Sequence, residues 1–181
     1  DIYRFCEIAR AMLAGEHLVA RVIARPFEGS PGAFRRTPRR KDYSVKPPGR
    51  TVLDIAMEAG KKVLGVGKIE DIYCGCGVGE SAHTDSNAHG ISVVLEALRR
   101  PVKDWDIMMV NLVDFDMLWG HRNDAAGFAR GLAEFDKSLG EIIRMLQPDD
   151  MLVITADHGC DPTTPSTDHS REYVPLLVYG K

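Results

Sequence analysis

An alternation most constrains how this chain can fold. Apolar runs rich in β-branched residues alternate with stretches whose apolar positions recur every three or four residues. KVLGVG (62–67), DIMMVNLV (106–113), MLVITA (151–156) and VPLLVYG (174–180) read as strands. They are apolar throughout rather than at every second position, so both faces are expected to be buried. Between them, TVLDIAMEAG (51–60) reads as a helix ended by Gly60, and GISVVLEALR (90–99) as another. A long helix follows, capped by Asn123 or Asp124. Its apolar residues Phe128, Leu132, Phe135, Leu139, Ile142 and Leu146 fall on one face. Strand and helix in turn predict an α/β fold with a mostly parallel sheet flanked by helices.

The first fifty residues are less regular. Ile2, Phe5, Ile8 and Met12 have helical spacing, and LVARVIARPF (18–27) reads as a strand. Residues 29–50 are rich in Gly, Pro and basic side chains and are expected to be a loop. Its Arg35, Arg36, Arg39, Arg40 and Lys41 either face a phosphate or line a solvated loop.

With 181 residues, the chain suits one domain or one domain plus part of another. The 23 Lys and Arg against 26 Asp and Glu give a net charge of -3, which argues against a general nucleic-acid binder. No apolar run approaches the roughly 18 residues of a membrane span, and residues 1–9 are mixed and charged rather than a signal peptide. Cys6, Cys74, Cys76 and Cys160 suit a reducing cytosol better than a disulfide framework. A lone Cys74-Gly75-Cys76 reads as a turn, and Met108-Met109 as core. The chain opens on Asp1 rather than Met, so either trimming or an absent N-terminal part is expected.

In open α/β sheets, ligands bind beyond the carboxyl ends of the strands. Strand 106–113 is followed by Asp114-Phe115-Asp116 and then His121, and strand 151–156 by Asp157-His158-Gly159. Thr167-Asp168-His169 precedes the last strand. Mixed Asp and His donors suit a divalent ion such as Mn²⁺ or Zn²⁺. Asp116, His121, Asp157, His158 and His169 are too many for one open catalytic metal, and two metals are a standard device for phosphoryl transfer. Asp114 is an alternative to Asp116, or else an acceptor behind the ligands. His17, His83 and His89 are not expected to bind metal.

These segments resemble a known family. VNLVDFDMLWGHRND (110–124), ITADHGCDPTTPSTDHSREYVPLLVYG (154–180), GKIEDIY (67–73), RVIARPF (21–27), DYSVKP (42–47) and GRTVLDIA (49–56) are similar to the phosphopentomutases, and the similarity covers nearly the whole chain in order. The TADHG and TDH pair alone marks only the wider alkaline-phosphatase-like superfamily, which includes phosphatases and the cofactor-independent phosphoglycerate mutases.

The resemblance implies an alkaline-phosphatase-like core and an inserted α+β cap. Residues 1–45 would be the end of the cap with its linker, and 46–181 the C-terminal half of the core. It implies a cytoplasmic isomerase of nucleoside salvage that interconverts ribose 1-phosphate and ribose 5-phosphate, with their deoxyribose equivalents. It also implies two Mn²⁺ ions, with glucose 1,6-bisphosphate or ribose 1,5-bisphosphate as activator. Asp116, His121 and His169 would hold one ion, and Asp157 and His158 the other. Arg21, Ile23 (through its backbone) and Lys68 match positions that contact sugar phosphate. The family's nucleophile, a Thr in an N-terminal stretch that also supplies a metal Asp, has no counterpart here. The chain therefore resembles a C-terminal portion, inactive alone. It departs from the family at Asp85, where a basic residue is more frequent, and its end at Lys181 is slightly short.

Overall fold

In the computed structural model, which describes residues 1–37 and 39–180, the molecule is α/β. Pro38, inside the expected loop, and the chain end at Lys181 lie outside the described residues. The centre is the strand β5 (Val63–Val66), buried along its whole length. It pairs in parallel with β6 (Glu80–Ala82) on one side and β7 (Ile107–Val110) on the other, giving the order β6-β5-β7. Strand periodicity of two sends alternate β5 side chains to opposite faces. Val63 packs with Leu53 of α2 (Val52–Glu58) and Ile69 of α3 (Ile69–Tyr73). Leu64 and Val66 pack with Ala97 of α4 (Asn87–Arg99). Met109 joins the first cluster and Met108 the second, so the Met pair is core as expected.

The helix boundaries follow local chemistry. Thr51 and Asp54 form a capping box at the start of α2, with the Thr51 N–H donating to Asp54 Oδ2 at 2.8 Å. Gly60 takes the left-handed φ of +76° just after the helix. Cys74 takes the same region, φ 52°, as it ends α3, so the Cys-Gly-Cys stretch is a turn. Asp124, not Asn123, caps the long helix α5 (Ala125–Met145) by accepting from the Gly127 N–H at 2.8 Å.

Two expectations are corrected. Residues 29–50 are not wholly loop. β1 (Arg21–Ala24) pairs antiparallel with β4 (Lys41–Ser44), and β2 (Phe27–Glu28) with β3 (Arg35–Arg36). The polar segment Lys-Asp-Tyr-Ser has little strand pattern of its own and is made a strand by the ladder that β1 offers. Helix α1 (Ile2–Met12) packs on this pair, where the Tyr3 hydroxyl donates to the Arg39 carbonyl at 2.7 Å. The second correction concerns burial. β8 (Met151–Thr155) and β9 (Leu176–Gly180) form an antiparallel pair of their own rather than buried parallel strands. β8 is exposed at alternate residues and β9 along its whole length, because no described element covers the outer faces of this two-stranded ladder.

Behind the strand-end loops, Trp119 lies on α5 at two buried glycines. A Cβ at Gly131 would stand 2.3 Å from Trp119 Cζ3, and one at Gly127 2.4 Å from Cδ1. The rigid indole cannot yield as a flexible side chain would. Gly131→Ala should therefore lower stability although alanine is the better helix former. Overpacking costs about 1–3 kcal/mol against roughly 1 kcal/mol of helix propensity gained. Denaturant unfolding followed by Trp fluorescence measures the balance, and a stabilised variant would contradict this packing.

Acid should act through paired carboxylates. Asp54 is held below its ordinary range by hydrogen bonds from the Thr51 hydroxyl and backbone. Asp106 is lowered by the Lys62 N–H and then by Lys61. A lowered folded value means the unfolded chain takes up protons first as pH falls. This stability is present above about pH 4 and is lost as pH drops through the lowered values. Melting temperatures should hold from neutral pH down to that point and fall below it.

Candidate metal centre

The backbone after β7 turns tightly, through one π-helical turn (Phe115–Trp119) and one 3₁₀ turn (Gly120–Arg122). Two contacts fix this corner. Asp114 is buried and exchanges hydrogen bonds with Asn87 at the start of α4. The Asn87 N–H donates to Asp114 Oδ2 at 2.7 Å, and the Asp114 N–H to Asn87 Oδ1 at 2.9 Å. Asp114 is thus occupied as an anchor, and Asp116 is the carboxylate presented to the neighbouring loop. Gly120 lets that loop approach closely, since a Cβ there would lie 2.3 Å from Cys160 Sγ.

The second loop folds back between β8 and β9. An isolated antiparallel bridge joins Gly159 to Ser170, with the Ser170 N–H donating to the Gly159 carbonyl at 3.0 Å. The Asp161 N–H donates to Ser170 Oγ at 2.9 Å. The bridge sets His158 and His169, each one residue before a bridge partner, side by side. Their rings stack with centroids 3.6 Å apart, and His121 stacks on His169 at 4.9 Å. Asn123, in the left-handed region with φ 52°, donates to the carbonyls of Thr164 and Ser166, which ties the two loops together.

The ring nitrogens are oriented for ligation. His121 Nδ1 lies 2.5 Å from the Thr167 carbonyl oxygen, and His158 Nδ1 3.2 Å from that of Gly159. A carbonyl can only accept, so each Nδ1 donates to the backbone, and Nε2 is the ring nitrogen turned toward the neighbouring carboxylates. Asp116 Oδ1 receives two rings, with His121 Nε2 at 3.2 Å and His169 Nε2 at 3.1 Å.

Two overlapping donor groups result, Asp116 with His158 and His169, and Asp116 with His121 and Cys160. Within each group the donor atoms lie within 4.8 Å of one another. A carboxylate and imidazoles at such spacing fit a divalent ion. Asp157 stands apart, with its side chain 69% exposed and its Oδ2 3.6 Å from His158 Nε2. Cys160 is the residue that the sequence reading missed. Its position next to the Asp-His-Gly run was the available signal. Burial and the adjacent Asp116 carboxylate push its thiol up, toward the protonated form.

Of the expected phosphate-contacting residues, Lys68 lies at the edge of this centre, and Arg21 and Ile23 lie on the β1–β4 ladder. Lys68 follows β5, with its Nζ 3.6 Å from Met117 Sδ, one residue beyond Asp116. Its amine is pushed down, first by burial and then by Arg40, with Arg21 acting the same way and Asp116 opposing. Arg21 opens β1, and Ile23 lies opposite Asp42 of β4. His17, His83 and His89 join neither donor group among the described residues.

The family model of the Metalloenzyme superfamily matches residues 69–181, and the chain belongs to that superfamily. Membership implies divalent-metal binding, which the donor groups fit. More particularly, the chain is 59% identical to the phosphopentomutases of Caldanaerobacter subterraneus and Acetivibrio thermocellus over 180 residues, 99% of this chain and 45% and 46% of those relatives. To the phosphopentomutase of Clostridium novyi it is 55% identical over 181 residues, 46% of that relative. The chain thus spans about half the length of the curated relatives it matches. The solved PH0037 protein from Pyrococcus horikoshii shares the fold, with a TM-score of 0.59 at 19% identity, covering 82% of this chain and 38% of that one.

The geometry separates Asp114 from Asp116. Asp116→Asn should weaken divalent-ion binding by at least about tenfold, the lower end of what loss of a ligand's supporting partner costs. Asp114→Ala should leave that affinity within a few-fold but lower stability by about 1–3 kcal/mol, the cost of unpairing buried groups. Calorimetric metal titration and denaturant unfolding of both variants check the assignment.

Proposed function

We propose that the chain forms the C-terminal portion of a phosphopentomutase, with residues 1–45 completing a cap and 46–181 supplying half of the metal-binding core. The single observation that carries this reading is 59% identity to curated phosphopentomutases along 99% of the chain. Convergence of Asp116, His121, His158 and His169 at the strand ends supports it. The reaction is interconversion of ribose 1-phosphate and ribose 5-phosphate, or of the deoxyribose pair, within cytoplasmic nucleoside salvage. Glucose 1,6-bisphosphate or ribose 1,5-bisphosphate would serve as activator.

In this reading Asp116, His121 and His169 hold one Mn²⁺. Asp157 and His158 hold a second, with a further Asp from the part of the relatives that this chain does not span. The metals, when bound, would lower the pKa of the nucleophilic hydroxyl and neutralise charge on the phosphoryl group. The nucleophile is the Thr expected in that same missing part. What the present residues do is narrower. The Thr167 and Gly159 carbonyls hold the His121 and His158 rings through Nδ1, with Nε2 turned toward the carboxylates. Asp116 orients two imidazoles at one oxygen. Arg21 and Lys68 offer charge-assisted donors to the sugar phosphate, with the Ile23 backbone beside them. A cap closing over them would exclude water and keep the phosphoryl group from hydrolysis.

Two measurements test this. The 181-residue chain alone should show no mutase turnover, whereas fusion to the remaining portion of the Caldanaerobacter relative should convert ribose 1-phosphate to ribose 5-phosphate without releasing phosphate. Release of phosphate in place of transfer would identify a phosphatase instead. In the fusion, His169→Ala should remove mainly one of two bound Mn²⁺ ions by metal analysis. A single ion unaffected by that substitution would refute the ligand assignment.

A further inference from the structure

Arg40, Arg21 and Asp42 form a compact group on the β1–β4 ladder. Arg40 donates through Nε to Asp42 Oδ1 and through Nη2 to Oδ2, both at 2.7 Å, in the bidentate fork geometry. Arg21 Nη1 lies 3.5 Å from the same Oδ2. One carboxylate therefore backs two guanidinium groups. Each has five N–H donors, so both keep free edges for another anion. Asp42 is only 22% exposed. Its carboxyl is held below the ordinary range, first by the Arg40 hydrogen bonds and against burial, with the Arg21 and Arg25 charges assisting.

An isolated surface ion pair would contribute little and imply nothing further. This one differs in two respects. Asp42 is shared between Arg21 of β1 and Arg40 just before β4, and their charge reaches beyond the ladder. The Lys68 amine, just after β5, is depressed first by burial and then by Arg40 and Arg21, with Asp116 and Asp42 opposing. Arg21 of β1 and Arg40 just before β4 thus share one carboxylate, close enough to act on the charge of Lys68.

We propose that Asp42 is a positioning residue that holds Arg40 and Arg21 in a phosphate-binding arrangement, and that Arg40 joins Arg21 and Lys68 in contacting the phosphate of the sugar substrate. This rests on the reading of Arg21 and Lys68 given under Proposed function. Asp42 fixes the guanidinium planes before substrate arrives, so less side-chain freedom is lost on binding.

The sign of one substitution separates positioning from plain electrostatics. By Coulomb attraction alone, Asp42→Asn removes a charge that repels phosphate and should tighten anion binding. If Asp42 positions the two arginines, the same change should weaken it. The test is calorimetric titration of ribose 5-phosphate into the chain in EDTA, which keeps metals out of the readout, with circular dichroism confirming folding. Asp42→Asn and Arg40→Gln should each weaken binding about tenfold, the scale of one charge-assisted hydrogen bond. The double variant should be little worse than Arg40→Gln alone, because the two residues act as a unit. Arg40→Gln leaves the carboxylate in place and serves as the independent check if Asp42→Asn fails to fold. Equal or tighter binding by Asp42→Asn, or unchanged binding by Arg40→Gln, overturns the proposal and leaves the Arg21 and Lys68 reading intact. Absence of saturable binding by the unaltered chain overturns both.

Discussion

Burial of β5 on both faces is the constraint from which the rest of the architecture follows. Val63, Leu64 and Val66 are almost wholly removed from water. Complete burial of such side chains stabilises by about 1.5–3 kcal/mol each. That requires α2 and α3 on one side and α4 on the other, and it leaves parallel strands as edge partners. Parallel neighbours end at the same edge of the sheet. Lys68 after β5 and the Asp114–Arg122 turn after β7 therefore emerge together.

The candidate centre depends on a smaller device. The Gly159–Ser170 bridge sets two histidines distant in sequence against each other, and Thr167 fixes the tautomer of a third. Hydrogen bonding of Nδ1 to a backbone carbonyl needs no ion, so the candidate donor rings are oriented by the fold itself. This reduces the ordering cost of capturing a cation. Trp119, seated on Gly127 and Gly131, stiffens the corner that presents Asp116 and His121.

Legibility in the sequence follows the physics of each feature. β5 was readable as a short run apolar throughout, and α4 and α5 through apolar residues at helical spacing. Asp116, His121, His158 and His169 were readable as His and Asp in loops after strands. β4 was not, because Lys41–Ser44 is polar and becomes a strand only through pairing with β1. Cys160 was missed because its nearness to Asp116 comes from the close approach at Gly120, which spacing does not encode. Arg40 could be named only as one of several basic residues. Its bidentate contact with Asp42 needs the strand register. The exposure of Asp157 could not be read at all, since its neighbour His158 turns inward from the same loop.

The exposed ladder of β8 and β9 has the same origin as the over-reading of its burial. Leu176, Leu177 and Val178 are apolar and exposed, on a strand whose single partner among the described residues is β8. A two-stranded ladder with both faces wet is marginal by itself, and continuous apolar sequence belongs to strands covered on both sides. The apolar run of β9 suits contacts on both faces, and among the described residues β8 alone pairs with it.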